Sequence, residues 1–227
     1  MRAQYFSALL VSGLAAACPT PRQASTTTVA APAATATAGA GAGTGSGSGS
    51  GSSVDMAAAI KAIMPTSNSC SGAQFPDECR TAEQAAPFIS KACADLSTAE
   101  CAATISIMGL ESVDMKFKHN VSPGRPGQGT ANMMMANFVS EYATDLFGAD
   151  KVAGKTPDEV LALVTPDETN FGSAAWFLTK KCSADVRSSL KTGTDAGWIA
   201  YNQCIGVDGT LSDRMAYWTR AKQAFNL

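Results

Sequence analysis

The sequence predicts an all-α domain, with at most a minimal β-hairpin, that is stapled by disulfides. Helix starts recur, because Thr81, Ser97 and Thr156 each stand three positions before Glu or Gln at the head of a helical pattern, a spacing that satisfies the free N–H groups of a first turn. Strand signals are scarce, since no segment sustains an alternation of apolar and polar residues. Cysteine is frequent, with 7 in the chain, as expected where disulfides reinforce a small core.

The beginning of the chain predicts a leader and a linker. A basic residue, the apolar run 5–14 and small residues before Cys18 are typical of a secretory signal peptide, which we place at 1–18. Residues 19–53 are almost entirely Ala, Thr, Gly, Ser and Pro, and predict a disordered linker. Residues 54–227 then form one domain. We expect a secreted, extracellular protein, free or associated with a cell wall; cleavage near Cys18 is favoured over its acylation.

The predicted helices follow from caps, apolar spacing and Gly or Pro stops. Thr81, Ser97 and Thr156 open three of them with Glu or Gln three positions on. Pro87 falls inside the second helix and is expected to kink or shorten it. The predicted helices are 56–64, 81–94, 97–111, 130–147, 156–164, 167–181, 184–190, 195–205 and 211–225.

The helix 97–111 is predicted to lie at the centre of the core. Its residues 101–110 are apolar except for Thr104 and Ser106, and a helix that is apolar nearly all round is normally buried. Helix 130–147 is apolar on one face only, which we expect to turn inward. The residues predicted for that face are Met134, Phe138, Tyr142 and Leu146.

Six cysteines lie beyond Cys18 and form an even set, which predicts three disulfides in an exported chain. Sequence alone does not settle the pairing, but near neighbours close easily. A zinc site is the alternative; we discount it because no Cys-x-x-Cys pair occurs and His119, interpreted as an exposed loop residue, is the sole histidine. We expect no metal and no cofactor. The favoured pairs are Cys70–Cys79, Cys93–Cys101 and Cys182–Cys204.

The charge balance argues against some partners. The chain has 17 basic and 19 acidic residues, and its only charges before Asp55 are Arg2 and Arg22, so the domain is acidic overall. An acidic domain is not expected to bind nucleic acid. We expect a monomer with no transmembrane segment, because no apolar stretch is long enough to span a bilayer.

Glu111 is the main candidate for chemistry. It stands at the end of an apolar helix and is followed by Ser112 and a loop rich in Gly and Pro. Burial favours the protonated form of a carboxyl group, and a protonated acid at a cleft wall is what glycosidic bond cleavage requires. The alternative is that the helix simply emerges into solvent at this residue.

Three segments together resemble the lysozyme-like superfamily, in particular soluble lytic transglycosylases and goose-type lysozymes. In that family a helix ends in Glu-Ser, a Gly-x-Gly segment opens the next helix, and an Ala-Tyr-Asn-Ala-Gly segment comes later. The resemblance implies a lysozyme-like fold over 97–207, and it leaves out 54–94 and the last helix. The matching segments are Gly109-Leu110-Glu111-Ser112, Gly127-Gln128-Gly129-Thr130-Ala131-Asn132-Met133 and Ile199-Ala200-Tyr201-Asn202-Gln203.

The resemblance implies roles for the matching residues. Glu111 would be the general acid that protonates the leaving oxygen, and Tyr201 would help to orient it or the sugar. Glycosidases commonly use a second carboxyl group, and the candidates by sequence are Glu141 and Asp114, the latter alternatively a solvated charge at a helix end. The candidate substrate-binding residues are Ser112, Gln128, Asn132, Asn202 and Trp198.

The function predicted from the sequence is therefore a secreted enzyme that cleaves β-1,4 bonds in peptidoglycan or chitin, as a glycoside hydrolase or a lytic transglycosylase. Its partner would be the polysaccharide substrate. The alternative is a non-catalytic secreted protein on the same helical scaffold, acting as a cell-wall-binding protein or an effector. The lack of an obvious second carboxylate favours that alternative.

Overall fold

The computed structural model describes residues 54–227, which form eleven α-helices and no strand. The predicted signal peptide and linker, 1–18 and 19–53, lie outside the described residues. The prediction of an all-α domain is confirmed. The helices are α1 Met56–Ile63, α2 Ala82–Ala92, α3 Thr98–Glu111, α4 Ala136–Phe147, α5 Ala149–Val152, α6 Pro157–Val164, α7 Asp167–Asn170, α8 Ser173–Lys181, α9 Ala184–Leu190, α10 Asp195–Cys204 and α11 Ser212–Phe225.

Helix α3 lies at the centre of the core, as its composition predicts. Its residues 99–109 are all buried, and it packs mainly against α11 and α8, with further contacts to α1 and α9. Gly109 allows the close approach of α11, because a Cβ atom there would lie 2.7 Å from Cε1 of Tyr217. Glu111 ends the helix where it leaves the core.

The three predicted capping boxes are all present. Thr81, Ser97 and Thr156 each accept a hydrogen bond from the backbone N–H three positions on, and the Gln or Glu at that position binds back. Pro87 is accommodated inside α2, which ends at Ala92 with Cys93 as its C-cap. None of the described helices is both long and apolar enough to cross a membrane.

The start of the predicted helix 130–147 is wrong, because the helix begins only at Ala136. Thr130 and Met133 have positive φ angles of 65° and 48°, which a helix cannot contain. The Gly129 N–H instead donates to the Met134 carbonyl. In place of the β-hairpin, the described residues contain two isolated β-bridges, which Gly129 forms with His119 and Met134. Of the residues predicted for the inward face, Met134 and Tyr142 are buried, Phe138 is half-buried and Leu146 is exposed. Val139 and Ala143 complete the buried face of α4.

The predicted helix 167–181 is divided into α7 and α8. At the break the Thr169 carbonyl accepts hydrogen bonds from the Tyr142 hydroxyl at 2.7 Å and from the Gly172 N–H at 3.1 Å. Gly172 makes room for that hydroxyl, since a Cβ there would lie 2.9 Å from it. The short helix α5 was not predicted; it follows Gly148, which has a φ of 87°.

Three disulfides join neighbouring elements, and they are the pairs favoured by the sequence. Cys70–Cys79 closes the loop between α1 and α2, and Cys93–Cys101 ties the end of α2 to α3. Cys182–Cys204 connects the residue after α8 to the end of α10. All six cysteines in 54–227 are therefore oxidised.

Candidate functional site

A groove runs past the end of α3 and contains Glu111. It consists of two cavities of about 280 and 370 Å³ that share Glu111, Gln128 and Met133. We call this pair of cavities the Glu111 groove. Its smaller part is bordered by Val113 and His119. The apolar wall of its larger part is formed by Ile107, Met134, Phe138, Phe177, Ile205 and Val207.

Glu111 is held in an ion pair inside the groove. Its Oε1 accepts a hydrogen bond from Nη2 of Arg214 at 2.7 Å, and the Arg214 side chain is only 10% exposed. Arg214 is itself placed by Asn202, whose Oδ1 lies 3.3 Å from Nη1. A guanidinium at this distance forms a charge-assisted hydrogen bond with a carboxylate. One oxygen of Glu111 is therefore engaged, and the other has no hydrogen bond among residues 54–227.

Gln128 and Asn132 mainly shape the groove. The Gln128 side chain accepts from Nδ2 of Asn120 at 2.7 Å and donates to the Met133 carbonyl at 3.2 Å. Oδ1 of Asn132 lies 2.9 Å from Oγ1 of Thr130 and 2.7 Å from Oγ of Ser173. Both amides line the groove, and each keeps N–H donors beyond these contacts.

Ser112 and Asp114 support the backbone and do not line the Glu111 groove. The buried Ser112 hydroxyl donates to the Met108 carbonyl and accepts from the Met115 N–H. Asp114 is buried, so its interpretation as a solvated helix-end charge is wrong. Its carboxylate accepts hydrogen bonds from Thr66 and from the Tyr217 hydroxyl. With every contact directed inward, Asp114 is a structural anchor and not a second acid.

Tyr201 and Trp198 lie in the core, away from the groove. Tyr201 is 0% exposed, and burial raises the pKa of its phenol. Trp198 donates to the Gly209 carbonyl and stacks on Trp218 with ring centroids 5.4 Å apart. Asn202 is also fully buried. Of the residues from this predicted segment, only Asn202 is connected to Glu111, and it acts through Arg214.

Glu141 and His119 also lie in unexpected surroundings. Glu141, on α4, forms an ion pair with Lys181 and does not line the Glu111 groove. His119 is partly exposed, but its Nδ1 lies 2.8 Å from Oε2 of Glu78. His119 also lines a further cavity of about 440 Å³ outside the Glu111 groove. Lys118, which lines that cavity, forms an ion pair with Asp167. Glu78 and Lys118 are therefore already engaged with neighbouring side chains.

Sequence reasoning missed Arg214, Arg125, Val113 and Met133. Arg214 follows Glu111 by 103 positions and lies on a helix outside the family resemblance, so no local pattern connects them. Arg125, in the loop after Glu111, lines the larger cavity and forms no ion pair within 54–227. Val113 and Met133 line the smaller cavity together with Glu111.

Comparison with known proteins points away from glycans. No family model matches the chain, and no solved structure matches it. The chain is similar to a bifunctional dioxygenase–epoxy alcohol synthase of Fusarium oxysporum, with 43% identity over 158 residues. The match covers 63% of this chain and 12% of that protein, so the chain spans only a small part of the relative's length.

This relative overturns the predicted function. The similar protein is named for oxidative activities. Glycan cleavage by a glycoside hydrolase or lytic transglycosylase is therefore a wrong prediction, and so is a peptidoglycan or chitin partner. The site agrees with this correction, because Glu111, the predicted acid, is engaged in an ion pair with Arg214. Tyr201, the predicted orienting residue, is enclosed in the core.

Proposed function

We propose that this domain is a binding module for an oxygenated molecule with an apolar chain, and that it accompanies oxidative chemistry of the kind named for its relative. The observation that carries the proposal is the ion-paired Glu111 beside an apolar wall. Cavities of a few hundred Å³ with apolar linings and few polar groups are the usual form of small-molecule sites. The Glu111 groove has this form.

The chemistry of an epoxy alcohol is compatible with the groove. Such a molecule has a hydroxyl donor and an oxirane acceptor on a hydrocarbon chain. Glu111 offers its second carboxylate oxygen, which has no hydrogen bond among the described residues, to the hydroxyl. Arg125 offers a guanidinium to an anionic end of the chain, and side chains such as Phe138 offer apolar surface to its body.

A binding role is preferred to oxidation by this domain itself. Oxygen activation relies on iron or another redox cofactor, usually held by His or thiolate ligands. Within residues 54–227 every cysteine is in a disulfide, and no group of three His, Cys, Asp or Glu side chains is placed to hold a metal. No redox step is therefore assigned to the described residues.

The proposal also includes secretion of the protein and a lysozyme-like arrangement of its helices. Three disulfides within one domain are typical of proteins that fold in an oxidising compartment, which supports a secreted protein. The buried central helix α3 with Glu111 at its end supports a lysozyme-like arrangement of helices. A shared fold is compatible with an unrelated ligand, since function depends on the site.

Calorimetric titration with a straight-chain epoxy alcohol carrying a terminal carboxylate tests the proposal. Wild-type protein is expected to bind it, and Glu111→Gln to bind about tenfold more weakly, because a charge-assisted hydrogen bond to the hydroxyl is lost. Glu141→Gln is the matched control, since Glu141 lies outside the groove, and it should bind like wild type. Absence of binding to wild type, or equal affinity in Glu111→Gln, would contradict the proposal.

A further inference from the structure

Backbone strain in this domain is concentrated beside Glu111. Among the residues in 54–227 other than glycine, those with positive φ angles are Val113, Asp114, Met115, Thr130, Met133 and Asn226. All but Asn226 belong to the two segments that border the groove. Two of them, Val113 and Met133, line the same cavity as Glu111. Strained residues are known to cluster at ligand sites, where surrounding contacts hold them.

Val113 is the most unusual of these residues. A β-branched side chain in the left-handed region is an outlier, because its Cβ substituents crowd the backbone. The turn 113–115 persists because buried groups hold it. Ser112 accepts from the Met115 N–H at 2.8 Å, and the Asp114 N–H donates to the Gly109 carbonyl at 2.8 Å.

Packing within the domain does not explain valine at this position. Its side chain is 57% exposed, so it gains little from the core, and Gly or Asn would adopt this backbone with less strain. The exposed side chain nevertheless borders the smaller cavity next to Glu111. Met133, also left-handed, lies where the two cavities meet.

We propose that Val113 and Met133 are ligand-binding residues: their left-handed backbone presents two apolar side chains to the hydrocarbon part of the ligand, beside the oxygenated carbon held at Glu111. This inference rests on the proposed function and specifies how the groove selects its ligand. The class selected is a molecule with an extended apolar chain attached to a hydroxylated carbon.

Val113→Gly is the decisive variant, because strain relief and ligand binding should change in opposite directions. Its melting temperature is expected to equal or exceed that of wild type by about 2 °C. Its Kd for the straight-chain epoxy alcohol should rise about tenfold, the effect of losing one buried apolar side chain. Val113→Asn, which tolerates the same backbone but is polar, should weaken binding similarly and so excludes added flexibility as the cause.

Asn226→Gly is the matched control, since Asn226 has a φ of 53° at the end of α11 and does not line the groove. It should leave the Kd unchanged. Unchanged affinity in Val113→Gly and Val113→Asn, with normal binding to wild type, overturns this inference alone. Absence of binding to wild type overturns both this inference and the proposed function.

Discussion

At the scale of single residues, the environment of Glu111 determines what it can do. A carboxylate at the end of a buried helix can serve several roles, and its neighbours decide which of its oxygens remains free to bind. Nη2 of Arg214, whose guanidinium also contacts Asn202, occupies one oxygen of Glu111 at 2.7 Å and leaves the other without a hydrogen bond among residues 54–227. The polar group is thus available to bind a hydroxyl, and the surrounding side chains provide apolar contact.

Tyr201 offers a test at the same scale. Its hydroxyl is buried and has no hydrogen-bond partner among the described residues. Tyr201→Phe removes a desolvated polar group and should raise the free energy of unfolding by about 1 kcal/mol, measured by urea denaturation. Tyr142→Phe is the matched comparison; its hydroxyl donates to the Thr169 carbonyl at 2.7 Å, so that change should lower stability by about 1 kcal/mol. A destabilised Tyr201→Phe would show that the hydroxyl has a partner in solution.

At the scale of helices, α3 carries Glu111 and is held in place at both of its ends. Ser97 and Glu100 satisfy N–H groups at its first turn, and Ser112 holds the turn after its last residue. Between these ends the helix is buried, so it can hardly shift without disturbing its packing. Glu111 is consequently placed on a rigid support, which favours a preformed groove.

The first turn of α3 also makes stability depend on pH. Burial raises the pKa of Glu100, but hydrogen bonds from Arg187 and from the Ser97 N–H outweigh it and hold the pKa below its usual value. A lowered pKa in the folded state gives stability that is present above the unfolded-state pKa and lost as pH falls through the folded value. Urea denaturation between about pH 5 and pH 2 should therefore show a steep loss for wild type.

Glu100→Gln should flatten that acid limb and lower stability at neutral pH by about 2 kcal/mol, because Arg187 loses its charged partner. Glu83→Gln is the control, since its ion pair with Lys61 is exposed and such pairs contribute little. An acid limb as steep in Glu100→Gln as in wild type would mean that other carboxylates produce the loss.

At the scale of the whole domain, the three disulfides are expected to contribute unequally to the free energy of unfolding. Cys182–Cys204 spans 22 positions and joins the ends of α8 and α10, whereas the other two span 9 and 8. In the chain-entropy description the longest loop contributes about 3.4 kcal/mol and each short loop about 2.5 kcal/mol. Replacing Cys182 and Cys204 by Ala should therefore lower the urea midpoint more than replacing Cys70 and Cys79. The reverse order would indicate that local strain or residual structure dominates.

Much of the fold could be predicted because its causes are local in sequence. The capping boxes at Thr81, Ser97 and Thr156 act within one turn, and the cysteine pairs lie close along the chain. Other features depend on distant groups. At the break in the predicted helix 167–181 the Thr169 carbonyl accepts a hydrogen bond from the Tyr142 hydroxyl, and no pattern within 167–181 contains that contact.

The sequence by itself determined an all-α domain, the burial of α3, the three disulfides and the position of Glu111 at a helix end, since each depends on short-range periodicity, capping or spacing. Only the tertiary structure decided what Glu111 can do. It brought Arg214 from the last helix to the carboxylate, enclosed Tyr201 in the core and held Val113 in a left-handed turn. These outcomes depend on contacts between residues far apart in the chain, and such contacts form only when the helices pack.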